Sequence, residues 1–521
     1  MRRMAETGST LSPPQVNSQD AKSLMARAAH GFAWVFAWRM ATRFMGLGST
    51  LVLVRLLAPA EFGIVAIAMS FIQSIDLFSQ IGVEDALVRM PAPDRRTYDT
   101  AFTMIVMRCG LIGVITAAAA LPVAYFFNEP RLAPIMLAVA GVTVIAGFEN
   151  IGVQDFRREL HFDKEFLFQA VPRLFGLIGV VTAAVIWHDY WALIFGTAVI
   201  RLTRVAMSYV IHPMRPRFSL SAWRDLIGFS LWTWAICVAR VLRDQPSTFI
   251  IGRMLGPAGL GLLSIGGEIA SLPFTEIVMP MGRSMFSAFA MARRSGEDVE
   301  AIFRRLTGVT AFITLPASVG LALVAEPLVR LMLGPNWVTA VPVLQLVAMG
   351  GAFSVFAQTC HAQFDAYGML RQDFGVILFG AAIRTTLMAV LVSRFGLMGA
   401  AFACAAAALL EPLSYLAVKR HYFRFSLRAL LSVAIRPVLA TAGMAVIVLS
   451  LGIKAGEDMA GTIGQLALGG LTGAAAYAIL IMALWWLAGR PEGAEADIVA
   501  MIAKRRPVVN AEPVLEGSPE L

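Results

Sequence analysis

Residues 55–63 read Arg55-Leu56-Leu57-Ala58-Pro59-Ala60-Glu61-Phe62-Gly63. The chain 198 positions later reads Arg253-Met254-Leu255-Gly256-Pro257-Ala258-Gly259-Leu260-Gly261, identical at five of nine places. Each stretch ends a long apolar run with a proline that stops a helix, and a glycine two to four residues on permits a tight turn. Trp34 and Trp232 keep the same offset. A second match closes the unit: Arg217-Phe218-Ser219-Leu220 against Arg424-Phe425-Ser426-Leu427, each some eight residues after a Ser-Tyr pair, Ser208-Tyr209 and Ser414-Tyr415. Matches at both ends of a long unit point to duplication rather than to chance recurrence of membrane-edge chemistry.

Around these marks the chain is almost continuously apolar. Hydrophobic residues make up 58% and charged residues 15% of its 521 positions, outside the balance of soluble domains. Fourteen stretches could each span a bilayer: 30–54, 62–84, 100–124, 132–154, 166–186, 191–211, 226–250, 261–284, 306–325, 339–360, 374–393, 398–418, 432–453 and 464–487. The net charge of +9 does not indicate nucleic acid, because the basic residues sit mainly in loops between apolar stretches. With residue 1 inside, the inner loops hold 18 Lys and Arg and the outer loops six, the asymmetry of the positive-inside rule.

The expected architecture is an all-α polytopic membrane protein of about fourteen transmembrane helices. A six-helix repeat keeps its orientation, so two parallel lobes are expected, at 29–211 and 226–418, with a cavity between them for alternating access. Residues 432–487 supply two extra helices. The segments 1–28 and 488–521 read as flexible cytoplasmic tails, which puts both termini inside. Residues 1–28 are polar, with Ser12-Pro13-Pro14 and no apolar core, so no cleavable signal peptide is expected. Cys109, Cys237, Cys360 and Cys404 fall in apolar stretches without metal-site spacing and read as small core residues. No metal and no cofactor is expected. No phosphate-loop motif appears, so ATP does not drive the chain directly.

The block Val54-Arg55-Leu56-Leu57-Ala58-Pro59-Ala60-Glu61-Phe62-Gly63, followed by Gly82, Ala86-Leu87-Val88-Arg89 and Thr100-Ala101-Phe102, resembles the Wzx-type polysaccharide flippases. These belong to the MOP superfamily with the MATE exporters and the lipid II flippase. Pro280, Phe286, Pro316, Gly320-Leu321, Glu326-Pro327-Leu328 and Gly334-Pro335-Asn336-Trp337 are similar to the same family, and the likeness runs from about residue 30 to 430. It implies a flippase that moves undecaprenyl-pyrophosphate-linked oligosaccharide from the inner to the outer leaflet of the bacterial inner membrane, for exopolysaccharide, capsule or O-antigen. Its partners would be that lipid-linked substrate, the bilayer, and a polymerase with chain-length machinery, with no nucleic acid.

Charges at mid-depth in apolar spans are expensive and normally meet a cavity or a partner. Arg39 and Arg43, four apart on one helix face, suit a pyrophosphate; the alternatives are a structural pair with Asp76 or snorkelling. Arg240, Arg201, Arg173, Arg108 and Arg384 are further candidates for a cationic cavity. Arg243 and Asp244 can neutralise each other, and Arg204 can reach the inner interface. Asp76 and Glu268 are candidate ion-coupling sites, while Glu149 and Glu411 read as snorkelling or capping groups near the inner ends of their spans. The intramembrane prolines read either as packed kinks or as bending points. Two other functions fit less well. A MATE-like cation or drug antiporter wants acids where the first span offers arginines. A membrane polymerase or ligase wants longer outer loops than these.

Overall fold

The computed structural model describes residues 42–496, apart from 44, 47, 80–81, 91–92, 160, 227–230, 424, 457 and 492. Arg39, the tail 1–28, the start of the first span and everything beyond 496 lie outside the described residues. Among the described residues every regular element is helical. Helix α1 covers described residues between 42 and 56. There follow α2 (Pro59–Phe78), α3 (Val83–Arg89), α4 (Arg95–Phe127), α5 (Leu132–Ala146), a short turn Ile151–Gln154, α6 (Asp155–Arg158), α7 (Phe162–Trp187), α8 (Trp191–Ile211), α9 (Trp223–Leu226) and α10 (Leu231–Ala270). A π-helical turn, Phe274–Val278, leads into α11 (Met279–Ser295) and α12 (Val299–Leu323). Then come α13 (Ala325–Met332), α14 (Val341–Gly351), α15 (Ser354–Tyr367), α16 (Leu370–Tyr422), α17 (Leu427–Ser450) and α18 (Met459–Leu487).

Nine of the described helices are long and apolar enough to cross a membrane, or eleven if each of two bent pairs is one crossing. Fourteen spans are expected from the sequence; two causes lower that to eleven, and leaving out the two bent pairs gives nine. The first span lies largely outside the described residues. Two pairs of spans are each continuous as one helix, joined at a glycine. Gly256 breaks α10 with φ 70° and ψ −177°, and Gly396 breaks α16 with φ 56° and ψ −133°. Positive φ of this kind is open to glycine and strained for other residues. A straight helix of 53 residues would be about 80 Å long, far beyond a hydrocarbon core of about 30 Å. The outward surface is apolar: Leu121, Tyr125, Val210, Leu471 and Leu487 are all more than 70% exposed. Water would not tolerate such a surface, and lipid does. The chain is a multi-pass membrane protein.

The chain divides into two compact units. One takes Met1–Leu53, Ile81–Ile115 and Ala138–Gly228, the other Val54–Gln80, Thr116–Leu137 and Phe229–Leu521. In the first, Asp94 caps α4 by accepting from the backbone N–H and hydroxyl of Thr97, at 2.8 and 2.6 Å, which holds its carboxyl below the usual carboxylate value. The extended segment after α8 is laced along the first turns of α4. Asp99 accepts from the Arg217 N–H (2.8 Å), Thr103 from Ser219 (2.9 Å) and Thr100 from Ala222 (3.2 Å). Phe218 packs on Phe102. Buried Asn150 braces the bend after α5: it accepts from Gly152 at 3.0 Å and donates to Met214 at 2.7 Å, and its own N–H donates to Ser208.

In the second unit the duplicated motifs meet each other. A Cβ at Gly63 would lie 1.8 Å from the Pro257 carbonyl oxygen, and one at Gly261 would lie 1.8 Å from that of Pro59. Gly63 and Gly261 are the same repeat position, and so are Pro59 and Pro257. The contact between α2 and α10 is therefore reciprocal, as at a two-fold axis. The break also recurs. Ala58 is extended (φ −77°, ψ 156°) where Gly256 turns, and Pro59 and Pro257 each open the next helical run. The Glu61 carboxylate accepts from the Ala58 N–H at 3.1 Å and secures the start of α2. Beside this contact, fully buried Trp337 donates to the Val54 carbonyl at 2.8 Å and meets the Phe62 ring edge to face. Ile265, Ile269, Val329 and Leu344 complete that core. The last two helices, α17 and α18, pack on each other, and α17 also packs on α12. Tyr477 ties α18 to α12 through the Phe312 carbonyl at 2.7 Å.

Candidate functional site

The first unit holds a cavity of about 510 Å³ between α1, α7 and α8. Its walls are mostly apolar, with polar groups from Thr42, Ser49, Gln169 and Thr197, and with three arginines, Arg173, Arg201 and Arg204. Local sequence explains the placement. Arg201 and Arg204 are three apart on α8 and share a face. Arg173 follows Pro172 on α7. The two helices approach through small residues: a Cβ at Gly176 would lie 2.1 Å from Ile200, and one at Gly196 would lie 2.5 Å from Val180. Glycines of this kind let membrane helices close on each other. The arginines are thereby drawn to one side of a tight pair.

The three cations are not equivalent. Arg204 donates from Nε to Glu149 at 2.6 Å and from Nη1 to Gln169 at 3.3 Å, and it stacks 4.8 Å from the Phe168 ring centre. It is a balanced, fixed group, and Glu149 is its partner. Arg173 and Arg201 are exposed to the cavity side, and among the described residues neither has an ion-pair partner. Two unbalanced guanidinium groups in an apolar-walled space suit an anion with several oxygens, which can take forked hydrogen bonds from each.

The other sequence candidates lie elsewhere. Arg39 is outside the described residues. Arg43 on α1 and Arg108 on α4 are half-buried in the first unit. In the second unit, Arg243 pairs with Asp244 at 3.0 Å and with Glu411 at 2.9 Å. Arg384 lies 3.6 Å from Asp244 and 3.3 Å from the Ser247 hydroxyl. A cavity of about 70 Å³ opens beside Arg243, Arg384 and Glu411. Arg240 meets His361 at 3.0 Å. Asp76 is half-buried on α2 and Glu268 is exposed on α10.

Sequence reasoning missed two groups. His361, Asp365, Asp373 and Tyr415 form a polar cluster joining α15 to α16. His361, Asp365 and Asp373 hold possible ligand atoms within 4.8 Å of one another, but the Arg240 guanidinium already sits on the ring and would repel a metal cation. Lys419, with no exposed surface, pairs with Glu300 at 3.0 Å and lies over the Phe303 ring. Only the Asp365 spacing, four residues after His361, could have signalled the first group.

Comparison with known proteins adds the family. The family described as polysaccharide biosynthesis protein matches residues 52–342. The chain is 24% identical over 300 residues to the succinoglycan biosynthesis transport protein ExoT of Rhizobium meliloti (strain 1021), covering 57% of this chain and 61% of that one. It is 26% identical over 342 residues to the lipopolysaccharide biosynthesis protein WzxC of Escherichia coli (strain K12), covering 63% and 68%. The chain thus spans about three-fifths of the length of the ExoT protein it matches. In fold it is similar to the lipid II flippase MurJ, inward closed conformation, with TM-score 0.70 and 14% identity, over 87% of this chain and all of that one. An inward-facing multidrug resistance MATE transporter of the MOP superfamily gives TM-score 0.57 at 13% identity, over 73% and 94%.

Proposed function

Because the chain belongs to the polysaccharide biosynthesis protein family, we propose that it is a flippase, not an enzyme, and that it carries a polyprenyl-pyrophosphate-linked oligosaccharide across the bacterial inner membrane. The observation that carries the chemistry is the cavity with unbalanced Arg173 and Arg201. A pyrophosphate brings oxygens and negative charge, which these two guanidiniums match. The sugars need the polar wall groups, while the polyprenyl tail stays in lipid. Alternating access between the lobes 29–211 and 226–418 moves the head group, and the glycan serves exopolysaccharide, capsule or O-antigen assembly. The antiporter reading is weaker because no described acid lines the cavity, and Glu149, the partner of the lining Arg204, is already bound. The relatives' names give transport and biosynthesis and support no polymerase or ligase reading.

The test is transbilayer movement of a fluorescent polyprenyl-pyrophosphate glycan in vesicles holding the purified chain. Arg173→Ala and Arg201→Ala should each lower the rate by about tenfold or more, the loss expected of a charge-assisted contact. Lysine at either place should recover part of it, since the charge remains and the fork is lost. A parent chain that moves no glycan, or alanine variants that move it at the parent rate, would overturn the reading.

A further inference from the structure

The polar cluster in the second unit has one arrangement of protons. Arginine only donates, so His361 Nε2 must accept from Arg240 Nη2 at 3.0 Å. The ring is then neutral with its hydrogen on Nδ1, which donates to Asp373 Oδ1 at 2.9 Å. Tyr415 donates to the same oxygen at 2.8 Å. Asp373 is fully buried, and its Oδ2 has no hydrogen-bond partner among the described residues. Asp365 stands 3.5 Å from His361 Nε2. Both His361 and Asp365 line a cavity of about 470 Å³, which Arg283, Phe286 and Gln358 of α11 and α15 also line. Gly282 leaves the space that the Gln358 amide occupies, since a Cβ there would lie 2.8 Å from it.

Protonating this ring has a definite consequence. Nε2 becomes a donor, and two donors cannot share the 3.0 Å contact with Arg240. The new N–H has Asp365 to turn to, one turn along the same helix. Arg240 is then released from a ring that lines the same cavity as Arg283. With the ring neutral, Arg240, Asp365 and Asp373 carry one net negative charge. With the ring protonated the cluster is balanced. The surrounding charges do not alter this logic. On α10, Arg243 is tied to Asp244 and to Glu411, and Asp244 also lies near Arg384. From α12, Glu300 is bound by Lys419. The π-turn brings one carboxylate, Glu276, and α14 has no charged residue. On α15 itself, Cys360 is fully buried.

We propose that Arg240 and Arg283 form an anion-binding site in the second unit, latched shut by neutral His361 and opened when its ring takes up a proton. The identity of the anion, a phosphate-bearing glycan lipid, rests on the flippase reading; the latch does not.

The experiment measures binding of radiolabelled sulfate, whose charge is constant over this range, to the purified full chain in detergent at about pH 7.5 and pH 5.5. At low sulfate, binding to the parent should rise by about threefold or more on acidification, because apparent affinity follows the fraction of open sites. In His361→Gln the side chain still accepts from Arg240 and donates to Asp373, and binding should be equal at the two pH values. Arg240→Ala should also remove the rise. Asp365→Asn, a milder change, should reduce it. Equal binding by the parent at both values, or an undiminished rise in His361→Gln or Arg240→Ala, would overturn the latch. A parent that moves glycan but shows no sulfate response sinks the latch alone. A parent with the response that moves no glycan sinks only the flippase reading.

Discussion

At the scale of single residues, what would separate a substrate-holding arginine from a structural one, on the proposed function, is its partner. Arg204, Arg243 and Arg384 have carboxylates within 4.0 Å, and Arg173 and Arg201 have none among the described residues. The sequence marks all of them equally, because a lone arginine in an apolar span reads the same whatever faces it. The partners lie far along the chain. Glu149 is 55 positions from Arg204, Glu411 is 168 from Arg243, and His361 is 121 from Arg240. Periodicity has no access to such pairs, which is why Glu149 and Glu411 read as snorkelling groups. The Glu149–Arg204 pair gives a test. Glu149→Gln leaves a cation without its counter-charge, in a site that is only partly open to water. Thermal melts in detergent should show a loss of about 1–3 kcal/mol, below the figure for fully buried pairs. The double variant Glu149→Gln with Arg204→Gln should recover much of that loss. If the double variant is as unstable as the sum of both singles, the pair contributes nothing as a pair.

At the scale of elements, the apolar runs and their prolines were legible, and the joins were not. Positions 59 and 257 mark real breaks because proline cannot extend the helix before it. The sequence could not say that α10 and α16 would turn within a single residue, since glycine is common in membrane helices and only φ reveals its use. Nor could it show that the repeated motifs touch. That contact predicts the behaviour of two alanines. Gly63→Ala and Gly261→Ala each place a methyl 1.8 Å from a backbone oxygen, so α2 and α10 must separate. Each should cost about 1–3 kcal/mol by thermal melt. The two together should cost less than their sum, because one separation relieves both clashes. Gly267→Ala, on the same helix with nothing within 4 Å, should be neutral or stabilising by up to about 1 kcal/mol. Alanine tolerated at Gly63 and Gly261 as it is at Gly267 would rule out the reciprocal contact.

At the scale of the whole molecule, the class and the outward apolar surface follow from composition, and the loop asymmetry from where the basic residues fall between the apolar runs. The asymmetry of 18 to six predicts orientation. Reporter fusions after residues 90, 160, 219 and 295 should report the cytoplasm, and fusions after 58, 256 and 334 the opposite side; an outer signal at 295 would break the even-span topology. If the chain is the flippase proposed above, orientation also sets the sign of the driving force. A pyrophosphate carries about two negative charges, and the cytoplasm is electrically negative. Each charge moving outward gains ~2.3 kcal/mol per 100 mV. If half of that drop for two charges acts at the barrier, flux rises by up to about fiftyfold, since ~1.4 kcal/mol is a factor of ten. Vesicles given a potential negative on the side the glycan leaves should therefore transport at least about fivefold faster than unpolarised ones. Under this scheme Asp76→Asn and Glu268→Gln slow transport less than Arg201→Ala does, because no counter-ion need enter through a carboxylate. A flux indifferent to potential, and abolished by loss of either carboxylate, would establish obligatory ion exchange in its place.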